Sequence, residues 1–114
     1  MPPPPPPRPD RVRLRQILVA YEGAKQSSAT RTKDEARQLA EKLQSELRAT
    51  PAEFARLAAR HSDDPSGPLG GDLGVVREGD LVAELESAAF ALSPGEVSDV
   101  VETPCGFHVL MRVD

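Results

Sequence analysis

Few residues in this chain are equipped for covalent or metal chemistry. Cys105 and His108 have C-x-x-H spacing, which suits a Cys–His pair or one corner of a metal site. The sequence has two histidines and one cysteine, too few to build a protein-only zinc site of the usual N/S type. A free buried thiol is the simpler expectation for Cys105. Gly70, Gly71 and Gly74 resemble a phosphate-cradling loop, but no Lys-Ser/Thr follows them. Backbone conformations with positive φ are their plainer use. The remaining candidates are polar residues in apolar or turn settings. His108 lies in an otherwise apolar stretch and Gln16 shares a strand face with Val12, Leu14 and Leu18. Asp64 precedes a Pro-Ser turn signal, and Thr103 sits beside Pro104. Each has a structural use, as core-edge, turn or cap, and each could equally serve a site.

These residues sit in a chain of 114 residues, a common size for one domain. It is 39% apolar and 28% charged, so it can fold around a single core. Its net charge of −4 argues against a nucleic-acid module. No apolar run approaches the roughly 20 residues that span a bilayer, so no membrane insertion of this chain is expected. One cysteine cannot close an intrachain disulfide. Residues 1–10 are dominated by prolines and read as an extended polyproline II linker, leaving 11–114 as the folded domain. Met1 followed at once by Pro2 to Pro7 carries no secretory signal and reads as a processed or engineered start.

The alternation over Val12–Val19 predicts a strand, with Val12, Leu14, Gln16 and Leu18 on one face. Residues 22–29 read as a loop. Thr32 and Glu35 form a capping box, and Ala36, Leu39, Ala40, Leu43 and Leu47 make one helical stripe. Thr50-Pro51-Ala52-Glu53 reads as a second capping box, opening a short helix that carries Phe54, Leu57 and Ala58 and ends near His61. Ser62–Gly74 reads as loop, and Leu73–Val76 as a short strand. Asp80 is expected to cap a third helix bearing Leu81, Leu85, Ala88 and Ala89. Val97–Glu102 and Phe107–Val113 read as a closing pair of strands. The order strand, helix, helix, strand, helix, strand, strand predicts an α+β layer fold.

Three segments carry more than pattern. They are His61-Ser62-Asp63-Asp64-Pro65-Ser66 running into Gly70-Gly71-Asp72-Leu73-Gly74, then Glu86 to Ser98 around Phe90 and Pro94-Gly95, then Glu102-Thr103-Pro104-Cys105-Gly106-Phe107-His108. In this order and spacing they resemble the parvulin (PpiC-type rotamase) family of peptidyl-prolyl cis-trans isomerases, with loops closer to bacterial members. The resemblance covers residues 11–114. It implies a small antiparallel four-stranded sheet covered by three to four helices, an FKBP-like superfold. It also implies isomerisation of X–Pro bonds in extended or unfolded polypeptides, assisting folding. The partners implied are proline-containing segments of client proteins, and a monomer is expected. The rival reading is a peptide-binding chaperone or scaffold module that keeps the fold without turnover. A proline-rich lead suits a bacterial envelope protein shortened upstream, with a cytoplasmic setting left open.

Such an enzyme must bind the twisted X–Pro amide better than either planar state. That takes an apolar cup and fixed polar groups, and no nucleophile, metal or cofactor. By the resemblance, the cup is Leu73, Leu81 and Leu85 with Val76 and Phe90 beside it. The polar cluster is Gln16, Asp64, Thr103 and His108, with Cys105 at its rim. Two positions depart from the family pattern. Gln16 stands where many relatives carry His; it can hydrogen-bond but cannot titrate. Ala20 stands where phospho-specific members carry a basic residue, and Ala24–Ser28 offers only Lys25. A phosphate clamp needs clustered Arg or Lys, so a phospho-dependent preference is not expected.

Overall fold

The computed structural model describes residues 9–114. The expected linker lies outside these, apart from Pro9 and Asp10. Alternating burial along Arg11–Val19 makes the first strand, β1. The Thr32 capping box then starts α1, Lys33–Ala49: the Thr32 hydroxyl accepts from Glu35 N at 3.1 Å, and the Glu35 carboxylate accepts from Thr32 N at 2.9 Å. A 3₁₀ turn at Pro51–Glu53 leads into α2, Phe54–His61. A second 3₁₀ turn, Gly67–Leu69, precedes β2, Asp72–Arg77. Then follow α3, Ala83–Phe90; β3, Val101–Thr103; and β4, Gly106–Arg112.

The strands form one antiparallel sheet in the order β2-β1-β4-β3. This is the α+β architecture expected, with three α-helices on the sheet. Strand pleating sends alternate side chains to opposite faces. On one face Ile17, Val19, Phe107 and Val109 pack under α1 and α2 through Ala36, Ala40, Leu43, Leu47, Phe54 and Leu57. On the other, Val12, Leu14, Val76 and Leu110 pack with Leu85, Ala89 and Phe90 of α3.

Three expected details differ. Thr50 caps no helix with its side chain, because its N–H still bonds Glu46 O at 2.9 Å and finishes α1. Asp80 does not cap α3. Its carboxylate accepts from Arg77 N at 2.8 Å, closing the turn after β2, and the helix begins beyond Val82. The strand expected at Val97–Glu102 is reduced to Val101–Thr103 with a lone bridge from Val97 to Met111. Between them the Ser98 hydroxyl, rather than a backbone carbonyl, accepts from Leu110 N at 2.9 Å, which interrupts the ladder.

Candidate active site

The pairing of β1 with β4 sets Leu18 opposite His108 and Gln16 opposite Leu110. Both polar side chains therefore rise from the α3 face, one step apart diagonally. His108 Nδ1 lies 3.0 Å from Gln16 Oε1, and His108 Nε2 lies 2.7 Å from Thr103 Oγ1. All three residues are buried. Burial holds the imidazole pKa down at about 4, a shift that the nearby Asp64 carboxylate partly opposes. The ring is neutral at pH 7 and must donate from one nitrogen and accept at the other. With the Gln16 carbonyl facing it, Nδ1 is the donor, so the Thr103 hydroxyl donates to Nε2. Thr103 Oγ1 in turn accepts from Cys105 N at 3.2 Å. The result is one directed chain of hydrogen bonds that carries no formal charge.

Backbone contacts hold this chain in place. Gln16 N donates to Gly71 O at 2.9 Å, and a Cβ on Gly71 (φ +80°) would collide with the Gln16 carbonyl oxygen. Only glycine allows that approach. At the far end, Gly106 (φ +141°) lies so close to Val19 and Ala20 that a side chain there would push β4 away from β1.

Asp64 is carried by a loop tied to the end of β1. Asp63 N donates to Leu18 O at 2.7 Å, and the Ser62 hydroxyl accepts from Leu18 N at 3.1 Å and from Asp64 N at 3.2 Å. The Asp64 carboxylate accepts from both the backbone N–H, at 2.9 Å, and the hydroxyl of Ser66. It thus serves as a turn cap while facing the site. Beside it lies a cavity of about 400 Å³ lined by Leu18, Lys25, Asp63, Asp64, Cys105 and His108, among others. The opposite wall is the 24–29 loop, held by Lys25 N to Pro104 O at 2.9 Å and by Arg31, which pairs with Asp63 at 2.7 Å. The family resemblance brings Lys25 of this wall to the site; the ties that hold the wall reach across 32 to 79 residues of chain and leave no local pattern.

Gln16, Thr103 and His108 therefore meet in one network, with Asp64 and Cys105 at the cavity beside it. Cys105 is half-exposed, not the buried thiol expected. The apolar candidates stand apart from that cavity. Val76, Leu85 and Phe90 are buried in the second core, and Leu73 and Leu81 pack half-buried against it. Leu81 precedes α3 instead of lying on it. Among the described residues no group of three His, Cys, Asp or Glu side chains is placed to hold a metal ion. None of their helices is long and apolar enough to cross a membrane.

The sheet order β2-β1-β4-β3 with helices on both faces makes this a small α+β domain with a buried polar chain beside a cavity. The family profile described as "PPIC-type PPIASE domain" matches residues 7–114, and the chain belongs to that family of peptidyl-prolyl cis-trans isomerases, the parvulins. It is 36% identical over 113 residues to the peptidyl-prolyl cis-trans isomerase Pin1 of Digitalis lanata, covering 90% of this chain and 96% of that one. It is 46% identical over 63 residues to the chaperone SurA of Nitrosospira multiformis, covering 55% of this chain and 14% of that one. The solved structure of the peptidyl-prolyl isomerase ESS1 from Candida albicans superposes with a TM-score of 0.85 at 31% identity, covering 92% of this chain. This chain spans 63% of that protein, less than two thirds of its length.

Proposed function

We propose that this isomerase domain acts on X–Pro bonds of extended, unphosphorylated polypeptide segments and thereby assists folding, with Gln16, Asp64, Thr103 and His108 as its polar machinery. The observation that carries the reading is the uncharged chain Gln16–His108–Thr103, buried yet open on one side to the cavity.

As the X–Pro amide twists, its carbon–nitrogen conjugation breaks and the prolyl nitrogen lone pair localises. A dry site whose dipoles are already fixed stabilises that state without reorganising. His108, locked by two partners, cannot rotate to satisfy a planar ground state. Asp64 places negative charge beside the X-residue carbonyl, disfavouring the conjugated form in which that oxygen carries more charge. We assign the pyrrolidine ring to Leu73 and Leu81, half-buried on the α3 face, with Leu85, Val76 and Phe90 supporting them from the core. No proton needs to move, which is compatible with Gln at position 16. Lowering the barrier by about 7 kcal/mol corresponds to roughly 10⁵-fold acceleration.

The absence of phosphate dependence rests on the cavity wall. Among the described residues Lys25 is the only Lys or Arg lining it, while Asp64 and the Arg31-paired Asp63 face it. A phosphate would meet the Asp64 carboxylate and one lysine, beside an Asp63 already paired with Arg31, and no cluster of free cations. A cell-envelope setting and a monomeric state belong to the same reading.

NMR exchange on an Ala-X-Pro-Phe peptide series, with X apolar, basic, acidic or phosphorylated, tests this. Accelerated cis–trans exchange with unphosphorylated X is the expected result. Peptide-induced shifts near His108 without acceleration would replace it by the peptide-binding module. Acceleration confined to phosphorylated X would overturn the substrate assignment.

A further inference from the structure

The face of β1 opposite the site ends in a row of arginines. Arg11 and Arg13 are exposed and Arg15 is half-exposed, two residues apart and therefore on one face. The β1–β2 register places Arg77 directly opposite Arg11, and Val75 opposite Arg13. Helices α1 and α2 cover Ile17 and Val19 on this face, and Arg15 lies beside Ala55 of α2 at Gly70, while Arg11 and Arg13 stay exposed. Val75 is 57% exposed. Arg13 pairs with Asp72 at 3.2 Å, and Arg15 donates to Gly70 O at 3.4 Å. Arg11 and Arg77 have no acidic partner among the described residues. Like charges directly across a ladder oppose each other. This patch thus runs against both the −4 charge of the chain and the pairing preference of a sheet.

We propose that this bare half-face is a docking surface for an extended, acidic segment of polypeptide, distinct from the prolyl site on the other side of β1. The repeat supports an extended strand. Arginines two residues apart on a strand are about 6.7 Å apart, and so are alternate carboxylates of an extended peptide. Guanidinium groups accept such carboxylates in bidentate geometry, and Val75 offers an apolar contact between them. Size supports a polypeptide over a duplex or a membrane. The row is only about 13 Å long, and Asp10, Glu78 and Asp114 lie next in sequence to Arg11, Arg77 and Val113 at its margins.

Fluorescence anisotropy with a labelled twelve-residue peptide of alternating Glu and Thr, and its Gln-Thr counterpart, tests the proposal on the whole chain. The acidic peptide should bind at least tenfold more tightly than the neutral one, and amide shifts should map to Arg11, Arg13, Val75 and Arg77. The R11S/R77S double variant should weaken it at least fivefold while leaving X–Pro exchange catalysis unchanged. Equal binding of both peptides, or shifts confined to the cavity at His108, would overturn the proposal; neither result depends on a variant. Tighter binding of a charge-matched single-stranded oligonucleotide or of phosphatidylglycerol vesicles at the same residues would also overturn it.

Discussion

Strand β1 is covered at opposite ends on its two faces. On one face α1 and α2 bury Ile17 and Val19, while Arg11 and Arg13 are exposed and Arg15 half-exposed. On the other, α3 buries Val12 and Leu14 and leaves Gln16 and Leu18 for the site. Each face thus has an apolar end packed under helices and a polar end that the helices' apolar side chains do not fill. The dry end of one face backs the polar end of the other. A buried hydrogen-bonded chain at Gln16 is affordable because Ile17 and Val19, immediately behind it, fix the strand.

The largest effect should come from the dry end behind the site. Phe54 is 1% exposed and packs in the cluster with Ile17 and Val19. Phe54→Ala should lower stability by about 4 kcal/mol in urea unfolding. A loss under about 1 kcal/mol would mean that the packed end does not hold the fold as argued.

The next concerns the polar end and its pH dependence. The folded pKa of His108, about 4, lies below its unfolded value of about 6.5, so the unfolded chain takes up the proton first. The stabilisation is complete above about pH 6.5 and is lost as pH falls toward 4, amounting to about 3 kcal/mol. Comparing unfolding of the parent with His108→Gln across that range isolates the histidine from the carboxylates and His61. Parallel pH curves would show that His108 is not held neutral by burial. On the proposed reading catalysis uses the neutral ring and should be level from about pH 6 to 8.

Thr103 sharpens the contrast within the polar end itself. Thr103→Val keeps the shape but removes the donor to His108 Nε2 and the acceptor for Cys105 N. About 2 kcal/mol of lost positioning corresponds to a roughly 30-fold fall in kcat/KM. Unchanged turnover would confine the network to a structural role.

The packed ends were more legible in the sequence than the open ones. The α1 capping box and the β1 alternation depend on residues within a few positions of each other, and both formed as expected. Thr50 and Asp80 match the same local capping rules, yet each was already committed, Thr50 to the end of α1 and Asp80 to the turn at Arg77. The family resemblance picked out Gln16, Thr103 and His108, which the register of three strands brings together. The Lys25 wall and the arginine row come from tertiary placement, the one through ties to Asp63 and Pro104, the other through where α1 and α2 end. The wall's ties leave no periodic trace; the arginines alternate visibly in the sequence, but their exposure depends on which part of β1 the helices cover.

The smallest effect tests whether the bare end carries a cost in stability. Arg77 faces Arg11 across β2 and β1, and both are exposed, so the repulsion is screened by solvent. Arg77→Thr removes one charge and places a β-branched residue on the strand. It should therefore raise stability by a few tenths of a kcal/mol at low salt, and the gain should shrink as salt is added. The salt dependence separates charge from propensity, because strand propensity does not respond to ionic strength. A gain of the same size at 0.5 M salt would assign it to the threonine alone. A loss would mean that Arg77 is held by favourable contacts, and that this half-face is built for the strand rather than left open at its expense.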